Sequence, residues 1–274
     1  MRDNASSADN QQETPSVLEQ MAGSSETKRR ISQMNRELAT LLGILFTDGC
    51  VSRKGNSWRI YFVNKSWSLV ELFRDSMIAV FGLNEHRVRI GRTKDNLWSA
   101  IVNSQEIGNY LVTMFGTFRT LKFDDGTLPT ARLPIKQLLA SACETDFLRA
   151  AFSCDGGVGF YPAYRSGSQG GTKWLIRTIF LACAHPVLRT GYMSLLDELG
   201  IQAREVTQDE KIKIETEVNI KKFRDIIGFV SGTQVTNVSK FWRGYEKQSV
   251  LELMADSYSD PSKVYNLQKF QTLR

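Results

Sequence analysis

The sequence predicts an α+β fold built from two pseudo-symmetric repeats, each with the element order αββαββα and each containing an antiparallel β-sheet. Segments with the helical spacing of apolar residues alternate with segments of strand period, and the same order of segments occurs twice along the 274 residues. Each repeat also opens with an apolar helix that ends in an Asp-Gly pair, at Asp48-Gly49 and at Asp155-Gly156. These observations indicate a duplicated unit.

The first repeat is assigned to residues 28–115. A helix with glycine at its end is followed by a hairpin, a second helix, a second hairpin and a third helix. The predicted segments are a helix at 38–45, a hairpin whose second strand is 58–65, a helix at 69–81, a hairpin of strands 87–93 and 97–103, and a helix at 105–115.

The second repeat is assigned to residues 135–230 and has the same order of segments. Here the turn of the first hairpin is rich in glycine, and the last predicted strand alternates isoleucine, threonine or valine with charged residues. The predicted segments are a helix at 147–155, a hairpin of strands 158–164 and 174–183, a helix at 187–199, a hairpin of strands 203–208 and 211–218, and a helix at 220–229.

Three segments lie outside the repeats. Residues 1–27 are rich in Ser, Asn, Gln, Glu and Asp without an apolar period, so we expect a disordered polar tail. Residues 116–134 hold turn residues and two prolines and are predicted to be a linker. Residues 231–274 carry aromatic side chains and a helical pattern near 246–254, which predicts an extension that packs on the repeats.

Composition narrows the class of protein. A hydrophobic content of 42% is enough for a core, and no run of eighteen apolar residues or charged-then-apolar start is present. We therefore expect neither a membrane span nor a secretory signal, and a cytoplasmic or organellar location. The four cysteines are scattered without a CxxC pair, which favours reduced packing residues. The net charge of +6 suits a polyanionic partner.

The two repeat-opening helices have related sequences. The first is LLGILFTDG, residues 41–49, and the second is LRAAFSCDG, residues 148–156. Both resemble the LAGLIDADG signature; the first keeps the inner glycine as Gly43, whereas the second has Ala150 there. Because each copy is followed by the same hairpins and helices, residues 36–230 resemble the single-chain, two-motif LAGLIDADG homing endonucleases. The resemblance implies a monomeric, intron-encoded endonuclease that cuts double-stranded DNA at a long specific site.

The chemistry of these helices can be argued from their residues. Small side chains at Gly43 and Ala150 allow two helix backbones to approach closely, which predicts a paired-helix interface between the repeats. Asp48 and Asp155 would then meet at one end of the pair, where their mutual repulsion favours divalent cations between them. Aspartate oxygens completed by water and phosphate suit Mg²⁺, and such metals can activate water and stabilise the phosphate during hydrolysis. We expect Ca²⁺ to support binding without cleavage.

The resemblance also implies that each sheet lies against the DNA as half of a basic saddle. Alternate side chains of a strand point to one face, so basic residues at every second position can face base edges and phosphates. The residues expected to bind DNA are Arg59, Tyr61, Arg87 and Arg89 in the first repeat, and Lys173, Arg177, Arg204, Lys211 and Lys213 in the second.

The family places a basic or polar residue near the scissile phosphate at the end of the second strand of each repeat. In the first repeat, Asn64 and Lys65 match that position. In the second repeat, Ala184-His185-Pro186 stands there, so His185 is the candidate that would partly replace the lysine. This difference predicts unequal cleavage of the two strands.

The active sites of other nuclease classes fit the sequence poorly. The chain has only two histidines, which are too few for an HNH or His-Cys site, and it lacks a GxxxxGK[ST] loop. A protein of the same fold that binds without cutting remains the alternative: an RNA maturase acting on its intron, or a DNA-binding regulator. The presence of both Asp48 and Asp155 favours the endonuclease.

Overall fold

A computed structural model describes residues 33–165, 172–236 and 239–259. The predicted tail at 1–27 and residues 260–274 of the predicted extension lie outside the described residues. Within the described ranges, no helix has both the length and the apolar character needed to cross a membrane. The four cysteines, all inside those ranges, are free thiols.

The first repeat contains one four-stranded antiparallel sheet with the strand order β1-β2-β4-β3. Helices α1, α2 and α3 alternate with its two hairpins. The elements are α1 Arg36–Leu45, β1 Gly49–Lys54, β2 Ser57–Asn64, α2 Trp67–Phe81, β3 Arg89–Arg92, β4 Trp98–Asn103 and α3 Gln105–Phe115.

The second repeat forms a sheet of the same topology, with the order β5-β6-β8-β7. The predicted α+β fold of two equivalent antiparallel units is therefore confirmed. Its elements, including a short helix that precedes the repeat and a helix of the C-terminal extension, are α4 Ile135–Ala140, α5 Glu144–Asp155, β5 Gly156–Arg165, β6 Thr172–Ala182, α6 Pro186–Glu198, β7 Arg204–Val206, β8 Lys211–Ile214, α7 Glu217–Ile226 and α8 Lys247–Asp256.

Three predicted strands are clearly shorter than their sequence pattern suggested, and one of them, predicted at 203–208, is only Arg204–Val206 because a 3₁₀ turn occupies Thr207–Asp209. The strand predicted at 87–93 begins only at Arg89, because residues 85–87 form a 3₁₀ turn started by the Asn84 side chain, which accepts from the His86 backbone N–H. The strand predicted at 211–218 ends at Ile214. There the Thr216 hydroxyl accepts from the Asn219 backbone N–H, and this cap starts α7 at Glu217 although the alternation of residue types continues.

Each sheet has a buried face and an outer face. In the first sheet Ile60, Phe62, Ala100 and Val102 are fully buried, and in the second Ile179, Leu181, Ile212 and Ile214 are fully buried. Because side chains alternate along a strand, the residues between these belong to the opposite faces. The two outer faces are the surfaces left for a partner.

The two repeats meet through close packing of α1 against α5. At their first turns, the Arg36 guanidinium pairs with Asp146 at 3.1 Å. Further along, a Cβ atom added to Gly43 would lie 2.4 Å from the Phe147 carbonyl oxygen and 2.9 Å from the Cβ of Ala150. The helices therefore run in the same direction, with Gly43 against Ala150; α1 ends at Leu45, shortly before Asp48, and α5 ends at Asp155.

The C-terminal extension packs against the second repeat. Trp242 stacks on Phe160 with ring centroids 5.5 Å apart, and its indole N–H donates to the Phe160 carbonyl. The α8 side chains Val250, Leu251 and Met254 are fully buried. Trp242 and the buried side chains of α8 thus share a core with the second repeat.

We expect Gly43→Ala to lower the free energy of unfolding by about 1–3 kcal/mol, because its methyl group would force the two helices apart. The higher helix propensity of alanine, about 1 kcal/mol, opposes but does not cancel this loss. Urea unfolding followed by circular dichroism measures the difference. Gly91→Ala is the control, since the nearest atom to an added Cβ there is 3.6 Å away. A Gly43→Ala protein as stable as the wild type would contradict the close approach of α1 and α5.

Candidate active site and nucleic-acid interface

Asp48 and Asp155 lie together at the C-terminal ends of the paired helices. Their carboxyl groups are within hydrogen-bonding reach of each other. Glycine must follow each acid, because a Cβ at Gly49 would lie 2.7 Å from the Leu45 Cα and one at Gly156 would lie 2.4 Å from the Phe152 carbonyl oxygen. The turn from helix to strand therefore fixes both acids at the junction of the repeats.

Surrounding protein raises the pKa of both carboxyl groups. Burial, and then the negative charge of Asp48, raise the pKa of Asp155 to about 8. Burial also raises the pKa of Asp48, although its hydrogen bonds with Asp155 and Asn64 and the charge of Lys247 act in the opposite direction. The C-terminal ends of two helices add further negative potential. The pair therefore favours a shared proton or a bound cation over two free negative charges.

The acid pair fits a hard divalent cation that keeps several water ligands. In the described parts of the chain, no cluster of three or more His, Cys, Asp and Glu residues is arranged to hold a metal ion. Two carboxylates are nevertheless enough for Mg²⁺, which is commonly held by one or two carboxylates together with water and phosphate oxygens. The donor set thus leaves positions of the metal ion open for water or other oxygen ligands.

A cavity of about 570 Å³ opens on the first-repeat side of the acid pair. Asp48, Asp155, Asn64, Lys65 and Lys247 all contribute to its lining. The side-chain Nδ2 of Asn64 donates to the Asp48 carboxylate at 2.8 Å, and the side-chain Oδ1 of Asn64 accepts from the Ser66 backbone N–H at 2.8 Å. Asn64 is therefore held at both ends of its amide and orients Asp48, while Lys65 brings an exposed ammonium to the same cavity.

A smaller cavity, about 230 Å³, lies on the second-repeat side of Asp155. Its lining includes Ala182, Cys183, Ala184, Asp209 and Glu210. The two acidic residues make this cavity different in charge from the first. A phosphate on this side would therefore meet carboxylates where the first cavity offers Lys65.

The structure does not support the predicted catalytic role of His185. This residue is buried, and its Nε2 lies 2.8 Å from the Pro129 carbonyl oxygen of the linker. Gly49 pairs with Phe62 and Gly156 with Leu181, so the register makes Ala184 the equivalent of Lys65 and His185 the equivalent of Ser66. His185 precedes α6 as Ser66 precedes α2, and its ring anchors the linker.

Lys247 is a residue near the acids that the sequence analysis missed. It is 5% exposed, lies at the start of α8, and donates from Nζ to the Ser153 and Gly156 carbonyl oxygens at 2.7 Å each. Burial lowers its pKa, opposed by the negative charges around it. The sequence feature that could have indicated its burial is its position on the apolar side of α8, at helical spacing from Val250 and Leu251.

The outer face of the first sheet carries the predicted basic and aromatic residues. Tyr61 pairs with Ile101, which pairs with Arg89, so these three side chains share one face. Arg59 belongs to the same face, and its guanidinium lies 4.7 Å from the centre of the Tyr61 ring. Arg87, predicted to share the Arg89 strand face, instead lies in the exposed 3₁₀ turn before β3.

The outer face of the second sheet carries Lys211, Lys213 and Arg204. Lys213 pairs with Phe180 on one side and with Arg204 on the other. Arg204 makes a two-point contact with Glu215 at 2.6 and 3.0 Å, and Lys213 lies 3.5 Å from Asp209. Arg204 and Lys213 are therefore partly neutralised by carboxylates of the protein itself.

Arg177 does not belong to the outer face, contrary to the prediction. It shares the face of β6 that holds Ile179 and Leu181, and it donates to the Ser257 hydroxyl at 2.8 Å and the Ser257 carbonyl at 3.1 Å. The sequence placed it outside because a charged residue was assumed to face solvent, whereas the C-terminal extension supplies its partners. The Lys173 side chain lies outside the part of the structure that is described.

Comparison with known proteins gives structural but no sequence relatives. No protein-family model matches the sequence, and no curated protein matches it. Among solved structures, the LAGLIDADG meganuclease I-AabMI bound to uncleaved DNA is 12% identical, with 86% of this chain and 98% of that chain covered and a TM-score of 0.52. A point mutant of I-SmaMI is 11% identical, with 88% and 98% covered and a TM-score of 0.50.

These similarities establish the fold. The two sheets, the paired helices and their order along the chain match the two-domain architecture of the single-chain LAGLIDADG homing endonucleases. At identities this low, the similarity shows the fold and does not show the activity.

We expect Arg177→Met to lower the free energy of unfolding by about 1.5–3 kcal/mol, because it removes charge-assisted hydrogen bonds to Ser257 and the contact of the guanidinium with the Tyr258 ring, 4.4 Å away. Arg59→Met is the matched control, and its loss should stay below about 1 kcal/mol, since only its contact with Tyr61 is removed. Chemical denaturation of both variants provides the comparison. Equal losses would show that Arg177 is not a structural residue.

Proposed function

We propose that this protein is a site-specific double-stranded DNA endonuclease that hydrolyses phosphodiester bonds with divalent metal ions held by Asp48 and Asp155. The observation that carries the proposal is the meeting of these two acids at the ends of paired helices, between two repeats of identical sheet topology. The natural cation for such a pair is Mg²⁺, and Ca²⁺ should support binding without cleavage.

Four residues of the first cavity have distinct roles in the proposed reaction. Asp48 and Asp155 hold the metal, which, when bound, would activate water and stabilise charge on the phosphate. Asn64 fixes the orientation of Asp48 through its 2.8 Å hydrogen bond. Lys65 offers a cation to the scissile phosphate from the exposed edge of the cavity.

The outer faces of the two sheets supply the DNA contacts. Arg59 and Arg89 can each donate two hydrogen bonds to a guanine edge, and Lys211 and Lys213 can contact phosphates. The chain acts as a monomer, because it contains both repeats. The DNA complex of I-AabMI, a protein of the same fold, supports double-stranded DNA as the partner.

Asp48→Asn and Asp155→Asn should each abolish double-strand cleavage while specific binding in Ca²⁺ survives, because each substitution removes a ligand charge and keeps the side-chain shape. The target is first found by selecting cleaved sequences from a randomised DNA pool with Mg²⁺. Cleavage of a plasmid carrying that target then measures the effect.

The control for this pair is Asp225→Asn on the surface of α7, where the carboxylate pairs with Arg224 at 2.7 Å. This variant should cut at the wild-type rate. Double-strand cutting by either active-site variant would remove the two acids from the proposed role. Specific binding by a wild-type protein that never cuts would instead favour the non-cleaving alternative, a maturase or a DNA-binding regulator.

Lys65→Met should slow the cut of one DNA strand by about 10²–10³ and leave the other nearly unchanged, because the register-equivalent residue in the second repeat is Ala184. Rates are measured on a linear duplex labelled differently on each strand, so that each nick is followed separately. The wild-type protein should also accumulate nicked intermediate, since Asp209 and Glu210 line the second cavity. Equal slowing of both nicks by Lys65→Met would contradict this assignment.

A further inference from the structure

The outer faces of the two sheets differ in chemistry beside the acid pair. Gly49 pairs with Phe62 and Gly156 with Leu181, so the strand register matches the remaining pairs of the two hairpins one to one. In the first sheet, the outer pairs are Cys50 with Tyr61, Ser52 with Arg59 and Lys54 with Ser57. Their equivalents in the second sheet are Gly157 with Phe180, Gly159 with Thr178 and Tyr161 with Ile176. The cations at two of these positions are therefore replaced by uncharged side chains in the second sheet.

The glycines of β5 allow side chains of β6 to lie across the strand. A Cβ atom added to Gly157 would lie 2.7 Å from the Cζ of Phe180, and one added to Gly159 would lie 2.6 Å from the Cγ2 of Thr178. The Thr178 hydroxyl donates to the carbonyl of Ile179 at 3.3 Å, so its hydrogen is used by the backbone. This part of the outer face therefore presents carbon atoms in place of hydrogen-bonding groups.

A cavity of about 510 Å³ follows β5 between the acid pair and this part of the outer face. Its lining includes Asp155, Gly157, Gly159, Tyr161, Phe180, Lys240 and Phe241. Tyr161 and Phe241 are 42% and 38% exposed, and exposed aromatic side chains that line one cavity indicate a binding surface. Lys240 is exposed, and the Nζ of Lys211 lies 5.6 Å from the centre of the Phe180 ring. The cavity thus combines an aromatic wall with neighbouring cations.

We propose that the second repeat recognises its half of the DNA target through the 5-methyl groups of thymines, with Phe180 and Tyr161 as the specificity-determining residues. The first repeat, with Arg59 at the equivalent of Thr178, reads its half through hydrogen bonds. This inference rests on the proposed function, because it takes the outer face of the second sheet as a DNA-binding surface. The two halves of the target then differ in base composition.

The chemistry of the major groove supports this pairing of surface and ligand. Thymine presents a methyl group there, whereas the edges of guanine and cytosine present hydrogen-bonding groups. An aromatic ring gains from covering a methyl group and leaves a buried polar edge without a partner, which is unfavourable. The neighbouring Lys211 and Lys240 suit the phosphates that accompany the bases. Because Asp155 lines the same cavity, DNA that reaches the acid pair also reaches this surface.

The target is selected from randomised duplexes by binding in Ca²⁺, so that the test does not require cleavage. Arg59→Met identifies the two half-sites, because it should relax base preference only in the half read by the first repeat. The other half should contain selected thymines. Replacing them by deoxyuridine, which lacks only the 5-methyl group, should weaken binding by about 4-fold for each contacted methyl. Deoxyuridine in the half read by the first repeat should leave the affinity unchanged.

Phe180→Ser and Tyr161→Ser should each reduce the ratio between the affinities for the thymine and deoxyuridine targets, because each removes aromatic carbon from the cavity wall. Tyr61→Ser is the matched control, since Tyr61 is the register equivalent of Phe180. It should weaken binding and keep the ratio of the wild type. Should Phe180→Ser fold poorly, Tyr161→Ser, at an exposed position, carries the same expectation.

Three results would overturn the proposal: a second half-site without thymine preference, equal losses with deoxyuridine in both halves, or a wild-type ratio in both Phe180→Ser and Tyr161→Ser. A wild-type protein that binds its target specifically but never cuts it would refute the endonuclease and leave the deoxyuridine test intact. A wild-type protein that cuts its target and tolerates deoxyuridine throughout would refute only the recognition of methyl groups.

Discussion

The close contact of α1 with α5 is the constraint on which the rest of the structure depends. Gly43 leaves no room for a side chain between its own backbone and the Phe147 carbonyl, so the two helix axes are held together. Since the helices run in the same direction, this contact brings their C-terminal ends together and with them Asp48 and Asp155. Two acids forced together repel each other, and a cation held between them, as the proposed function requires, would relieve that repulsion.

The repeats share a topology but have diverged around this junction. Each acid follows a helix and precedes a glycine and a strand, so the backbone geometry is duplicated. The side chains that serve the acids are not duplicated. Asn64 of the first sheet donates to Asp48, whereas Lys247 of the C-terminal extension donates to the carbonyls of Ser153 and Gly156 on either side of Asp155. The two repeats therefore place their acids equivalently and surround them with different side chains.

Local sequence pattern predicted the elements well, because a strand or helix needs only its own apolar period. The alternation that placed Lys211 and Lys213 opposite Ile212 and Ile214 is present in the structure. The sequence pattern gave the wrong orientation for side chains whose hydrogen-bond partners come from a distant segment of the chain. Arg177 faces inward because Ser257 and Tyr258 cover it, and His185 is buried because Pro129 of the linker accepts its hydrogen bond. Neither contact leaves a trace within a few residues of the side chain concerned.

The burial of Lys247 illustrates the same limit of prediction from local sequence. A lysine on the apolar stripe of a helix is costly to bury unless carbonyl or carboxylate partners wait for it, and those partners come from α5 and β5 in another part of the chain. The acid pair, in turn, gains a positive neighbour that does not compete for its oxygens, because both hydrogen bonds of the ammonium go to backbone carbonyls. A fixed cation held in this way reduces the repulsion between Asp48 and Asp155 while leaving their carboxylates available to a metal ion. The extension after the second repeat therefore adds a buried positive charge that lowers the pKa of both acids.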